Sequence, residues 1–227
     1  KIATIVGTRP HFIKAAPVSK AIKAAGLSEI IVHTGQHYSD NMDRVFFQEL
    51  GLAEPDYRFD VNNASHGRMV GRMVEAVSTV LADEMPDWVL VYGDTNTSLA
   101  GALAAKILGL KLAHVESGLR SFDPSMQEEV NRVLIDRISE LLLCPTDKAI
   151  KNLKAEGFPL GSAKMVNCGD VMLDAARLFA DRAYPPTALT ETLTGPFFAA
   201  TVHRAENTNS ISRLKSIFRA LESLARD

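Results

Sequence analysis

Short apolar runs rich in β-branched residues alternate with stretches of helical period along nearly the whole chain, and this alternation constrains the fold most. The apolar runs fall at 2–6, 30–33, 88–92, 110–115, 141–144, 164–168 and 198–202. Between most of them, apolar residues recur at helical spacing over 13–25, 42–50, 69–81, 99–108, 128–142, 146–156 and 172–182. A strand that reads as a near-continuous apolar run is buried on both faces, which calls for a parallel sheet covered by helices. Alternating β and α elements then predict an α/β chain with a Rossmann-like, doubly wound parallel sheet.

The stretch AYPPTALTETLTGP, residues 183–196, breaks this rhythm with Pro, Thr and Gly and reads as a linker or long loop. After it come FFAATVH, expected as a strand over 198–202, and an amphipathic helix over 210–225. One strand and one or two helices cannot bury a core alone. Either they pack on the first domain or a second domain has started. We expect the latter: residues 1–168 form a first domain, and 169–227 begin a second that is incomplete.

Composition narrows the partners. The formal net charge is −2, so no basic footprint for nucleic acid or an anionic membrane exists. No apolar run approaches the roughly 20 residues that span a bilayer. The opening KIATIVGTRP is a strand running into a turn, without signal-peptide architecture, and the expected location is the cytoplasm. Cys144 and Cys168 have no zinc-type spacing and are expected to be small packing residues.

Ligands of a parallel α/β sheet bind beyond the carboxyl ends of its strands, so the residues following each apolar run matter most. Gly7-Thr8-Arg9-Pro10 follows the first run, with Lys14 a turn further on. Proline suits a helix start, whose free amides favour anions, and Arg9 and Lys14 add two cations. A plain strand–helix turn with a surface arginine would look the same. Gly93-Asp94 follows the 88–92 run and precedes a small-residue helix; taken alone, capping that helix is the simpler role for Asp94. Glu116 ends the 110–115 run on the same sheet edge, and two acids on adjacent strand ends are harder to dismiss than one. Glu128 and Glu129 open a helix, where acids are ordinary, and Arg132 has i,i+4 partners in Glu128 and Asp136. His203-Arg204-Ala205-Glu206-Asn207 closes the 198–202 run. Metal binding is not expected, since no Asp/His cluster has ligand spacing.

Six ordered segments, GTRPHFIKAAPV, VYGDTNTSLAGALAA, HVESGLRS, EEVNR, NCGDVMLDA and TVHRAENT, resemble the signature segments of the non-hydrolysing UDP-N-acetylglucosamine 2-epimerases. The resemblance covers essentially the whole chain. It implies a GT-B-like architecture of two Rossmann-like domains facing a cleft, a homodimer, and a role in bacterial surface polysaccharide precursors. The implied reaction converts UDP-GlcNAc to UDP-ManNAc: UDP is eliminated to leave a 2-acetamidoglucal and is then re-added after reprotonation at C2. The implied partner is a UDP-sugar, with no cofactor and no metal. By the same resemblance Asp94, Glu116 and Glu128 are the catalytic acids and His203 is a catalytic histidine near the diphosphate. Arg9, Lys14, Arg132 and Arg204 would bind substrate, while Glu129 and Asp136 are left as helix-face charges.

Three positions depart from the common pattern: Ser117 stands where alanine is usual, Gln127 where proline is, and His11-Phe12 replaces the frequent Glu-Ala. The last variant is similar to the branch acting on UDP-2,3-diacetamido-2,3-dideoxyglucuronic acid, which supplies an alternative substrate. A GT-B glycosyltransferase and an inactive truncated domain are further alternatives. The segments that hold the nucleotide in the family lie beyond TVHRAENT, so activity is expected only if the chain continues past residue 227.

Overall fold

The computed structural model describes residues 1–36, 44–61, 65–184, 195, 197–203 and 205–225. The chain divides into two compact units, Lys1–Asp181 and Arg182–Asp227.

The first unit contains seven strands: β1 Ile2–Val6, β2 Glu29–His33, β3 Tyr57–Arg58, β4 Trp88–Tyr92, β5 Lys111–Val115, β6 Leu141–Cys144 and β7 Lys164–Asn167. Its helices are α1 Arg9–Ala24, α2 Arg44–Leu50, α3 His66–Glu84, α4 Asn96–Ile107, α5 Gln127–Ile138, α6 Asp147–Ala155 and α7 Val171–Phe179. All strand pairs are parallel, in the order β3-β2-β1-β4-β5-β6-β7. The predicted doubly wound parallel sheet is therefore present.

The period of two along each strand divides the core. Ala3, Ile5, Ile30, Val32, Val89, Val91 and Leu112 pack with Val77, Val80 and Leu81 of α3, Leu99 and Ala102 of α4, and Ile135 of α5. Val6, Ile31, Leu90, Tyr92, Ala113 and Val115 pack with Phe12, Ala15 and Ile22 of α1 and Phe47 of α2. Each apolar side chain fully removed from water contributes about 1.5–3 kcal/mol, so a register slip would forfeit most of both cores. Helix α4 lies very close to the sheet. A Cβ built on Gly101 would stand 3.1 Å from side-chain atoms of Ile5 and Val91, which explains the small residues of SLAGALAA.

The helices following β1 and β4 cover opposite faces, so the chain reverses its winding between these paired neighbours. That topological switch point opens a crevice at the carboxyl ends of β1 and β4. Helix α7 contributes Val171 to the core shared with α1, so the first unit runs on through Asp181.

In the second unit, α8 Ala205–Thr208 and α9 Ile211–Leu224 are helical, and Ser210 caps α9 by accepting from the Arg213 amide at 3.4 Å. The strand expected over 198–202 is not formed: residues 197–203 carry no regular structure. A strand needs a neighbour to complete its backbone hydrogen bonds, and the described residues of this unit supply none. Among the described residues, no helix is long and apolar enough to cross a membrane.

Candidate active site at the strand ends

The turn after β4 is built on Gly93 at φ +59, a conformation that suits glycine. Its amide donates to the Val115 carbonyl at 2.9 Å, tying the ends of β4 and β5 together. Asp94 follows, and it does not cap α4. That task falls to Thr95, whose hydroxyl accepts from the Ser98 amide at 3.4 Å. The Asp94 carboxylate instead pairs with Arg132 of α5, while its carbonyl accepts from the Asn131 amide nitrogen at 2.8 Å. Two residues of α5 thus hold both ends of one aspartate.

Glu116 stands at the end of β5 with φ +71, an uncommon backbone for a residue with a Cβ. Its amide donates to the Leu143 carbonyl at 3.0 Å, and its carboxylate pairs with Lys14 of α1. Lys14 is buried, an unusual place for an ammonium, and pairing is what permits it. Both groups lie against Gly93: a Cβ there would be 3.1 Å from Lys14 Nζ and 3.6 Å from Glu116 Oε2. Glycine at 93 therefore leaves the volume that the ion pair borders. Strained backbone of this kind collects at functional sites, where surrounding contacts over-determine it.

Around these four residues the structure places groups that the helical periodicity of the sequence hid. Glu129 is buried, and its oxygens accept from the amides of Ser121 and Phe122, both at 2.9 Å. It also pairs with Arg132 at 3.1 Å. Burial alone would raise its pKa, but these donors hold the carboxyl below the usual glutamate value. Asp136 is fully buried and paired with His114 and Arg120, both at 2.7 Å. Here too burial pushes upward, and the His114 and Arg120 contacts outweigh it, leaving the carboxyl below the ordinary aspartate value. The expectation that Glu129 and Asp136 are helix-face charges is thus corrected. So is the i,i+4 pairing expected for Arg132, which pairs with Asp94 and Glu129 instead.

Asp94, Glu116, Lys14 and Arg132 come together. Arg9 and Glu128 are exposed, at the starts of α1 and α5. Beside Arg9, the Thr8 hydroxyl is buried without a hydrogen-bond partner among the described residues. His203 belongs to the second unit, and Arg204 lies outside the described residues. His11 is buried. Its Nε2 lies 3.1 Å from Thr95 Oγ1 and 3.2 Å from Ser98 Oγ, under the turn that carries Asp94.

A family model described as UDP-N-acetylglucosamine 2-epimerase matches residues 20–227. The chain is 54% identical over 225 residues to the UDP-2,3-diacetamido-2,3-dideoxy-D-glucuronate 2-epimerase of Pseudomonas aeruginosa, covering 99% of this chain and 63% of that protein. It is 43% identical over 222 residues to the UDP-N-acetylglucosamine 2-epimerase of Methanocaldococcus jannaschii, covering 96% of this chain and 60% of that one. The crystal structure of the Methanocaldococcus jannaschii enzyme in complex with UDP-GlcNAc and UDP superposes with a TM-score of 0.88 at 41% identity, over 99% of this chain and 62% of that chain. The chain thus spans less than two thirds of the length of these relatives, and its fold is the amino-terminal part of the GT-B-like architecture expected from the sequence. A parallel sheet with paired acids at its switch point, six ordered segments and these likenesses lead to one conclusion: the chain belongs to the UDP-N-acetylglucosamine 2-epimerase family.

Proposed function

We propose that this chain supplies the sugar-facing, proton-transferring part of an enzyme that inverts C2 of a UDP-activated, N-acetylated sugar. One carboxylate takes the C2 proton, the freed electron pair forms a C1=C2 double bond, and the C1–O bond breaks with its pair leaving on the diphosphate. Protonation of C2 from the opposite face and re-addition of UDP complete the inversion. No cofactor is needed, because each step moves only a proton or the nucleotide.

The observation that carries this reading is that Asp94 and Glu116 flank one glycine turn while each is held by its own cation. Proton removal from one face and return to the other requires two positioned groups, and two separately anchored carboxylates meet that need. The start of α1, with Arg9 and the Thr8 hydroxyl, suits the oxygens of a departing phosphate. Exposed Glu128 is kept in the proposal as the third acid. His203 and Arg204, on the second unit, are kept as groups for the diphosphate. A cytoplasmic homodimer, with residues 169–227 opening the nucleotide domain, belongs to the same proposal.

For the substrate, the 54% identity to a diacetamido-glucuronate epimerase favours that sugar over UDP-GlcNAc. The test is incubation of the full-length protein in D2O with each UDP-sugar, followed by proton NMR. Deuterium at C2 with a second, epimeric UDP-sugar supports the proposal. Free sugar plus UDP indicates hydrolysis, and no C2 exchange with either compound sinks it.

A further inference from the structure

A buried chain of charges links the two strand-end loops, and the elimination itself makes no use of it. His114 of β5 is fully buried. Its Nδ1 lies 2.7 Å from Asp136 Oδ1, and its Nε2 lies 2.8 Å from the Gly93 carbonyl oxygen. The other oxygen of Asp136 accepts from the Gly118 amide at 3.1 Å and from Arg120 Nη1 at 2.7 Å. Arg120 continues to Glu156 by two parallel bonds, 2.6 Å from Nε and 2.9 Å from Nη2.

Both partners of the His114 ring are acceptors: a backbone carbonyl, and a carboxylate that also accepts from an amide and a guanidinium. Both ring nitrogens thus face acceptors. Along the chain Glu156–Arg120–Asp136–His114, one guanidinium stands between two carboxylates and the imidazole is bonded to the inner one. Such buried charges are costly unless paired, and a packed apolar cluster would stabilise the fold as well or better. What this arrangement supplies is geometry. Gly93 immediately precedes Asp94, and Gly118 follows Glu116 by two positions. Through His114, Asp136 reaches the first loop, and through its second oxygen it grips the other.

We propose that His114 is a positioning residue whose Nε2 bond to the Gly93 carbonyl holds the Asp94 turn in place relative to Glu116. The kinetic consequence rests on the epimerase reading above; the mechanical one does not.

Two substitutions at one position separate a positioning role from a merely structural one. In His114→Asn the amide reaches the place of Nδ1 and can keep the Asp136 bond while losing Gly93. In His114→Gln it reaches the place of Nε2 and can keep Gly93 while losing Asp136. In the full-length protein, normalised to folded enzyme, His114→Asn should lower kcat for C2 exchange about 100-fold at unchanged KM, the effect of a displacement of about 1 Å. His114→Gln should recover most of that loss. Amide hydrogen exchange of residues 93–98, followed by mass spectrometry, should accelerate in His114→Asn and not in His114→Gln. Equal kcat in the two variants, or unaltered amide exchange in both, overturns the proposal. Absence of C2 exchange in the wild-type protein would remove the epimerase reading, and the amide-exchange comparison would still decide the positioning role.

Discussion

Lys14, in the second turn of α1, pairs with Glu116 beyond the end of β5, so the first helix and a central strand are joined by one buried charge contact at the crevice. Their side chains are only 10% and 23% exposed. In a double-mutant cycle of Lys14→Met and Glu116→Gln, the pair should show a coupling energy of about 1–3 kcal/mol by urea unfolding. A coupling near zero would mean that the contact contributes nothing to the fold.

Asp94→Asn separates charge from shape. An asparagine oxygen can still accept from Arg132, and the backbone contact with Asn131 is untouched. Stability should therefore change by less than about 1 kcal/mol. Exchange of the C2 proton should fall at least about 100-fold, because a carboxamide cannot take a proton. Preserved exchange would take Asp94 out of the chemistry.

Asp136 ties acid stability to the charge chain. Its folded pKa lies below the unfolded value of 3.8, burial being outweighed by the contacts of His114 and Arg120. Its contribution is present in full above that unfolded value and is lost as pH falls through the folded one. Urea unfolding of the wild type should show stability dropping on this acid side, with the drop flattened in Asp136→Asn. At neutral pH the variant should lose about 3–5 kcal/mol, because the buried His114 loses its carboxylate and Arg120 is left with Glu156 alone.

Glu29 has the opposite sign. Burial raises its folded pKa above 4.5, although Thr4 and Ser19 donate to it. It therefore favours the fold below the unfolded value, and this contribution is lost as pH rises through the folded one. Glu29→Gln keeps an acceptor for both hydroxyls and cannot ionise. Its stability relative to wild type should grow as pH is raised from 4 to 7, a trend that thermal unfolding at several pH values would reveal or refute.

Gly118 follows Glu116 at φ +80, and a Cβ there would stand 2.6 Å from the Ala149 carbonyl oxygen. Backbone lies on the other side of that clash, so no side chain can swing away. Gly118→Ala should cost about 2 kcal/mol or more, measured by thermal unfolding. It should also impair C2 exchange by shifting the loop that carries Glu116.

Six of the seven strands in the sheet were legible from short apolar runs, which burial on both faces explains for the inner strands; the edge strand β7 showed through Met165 and Val166 although most of it is exposed. β3 was not legible: Tyr57–Arg58 is a two-residue edge strand with one neighbour and no apolar run. The apolar run over 198–202 misled for the converse reason, since apolar residues without a ladder neighbour form no strand. The nearness of Asp94 and Glu116 was legible because both directly follow apolar runs at one sheet edge, whereas their pairing with Lys14 and Arg132, which sit within helices, was not. Glu129 and Asp136 escaped because helix-start acids and i,i+4 pairs usually face water. One signal was available: 129, 132 and 136 share a helix stripe with buried Ile135 close by, and His114 and Arg120 upstream needed an anion.

The strand order has a consequence for a chain made from its amino terminus. β1 can take β2 as a neighbour as soon as both leave the ribosome, but its other edge must wait for Trp88–Leu90. Throughout that interval an apolar, unpaired edge is on offer to any passing strand, a known route to misassembly. The crevice between β1 and β4 therefore lies on a seam that stays open until the fourth strand is made, and a nascent chain that stalls before Tyr92 would depend on chaperones to shield it.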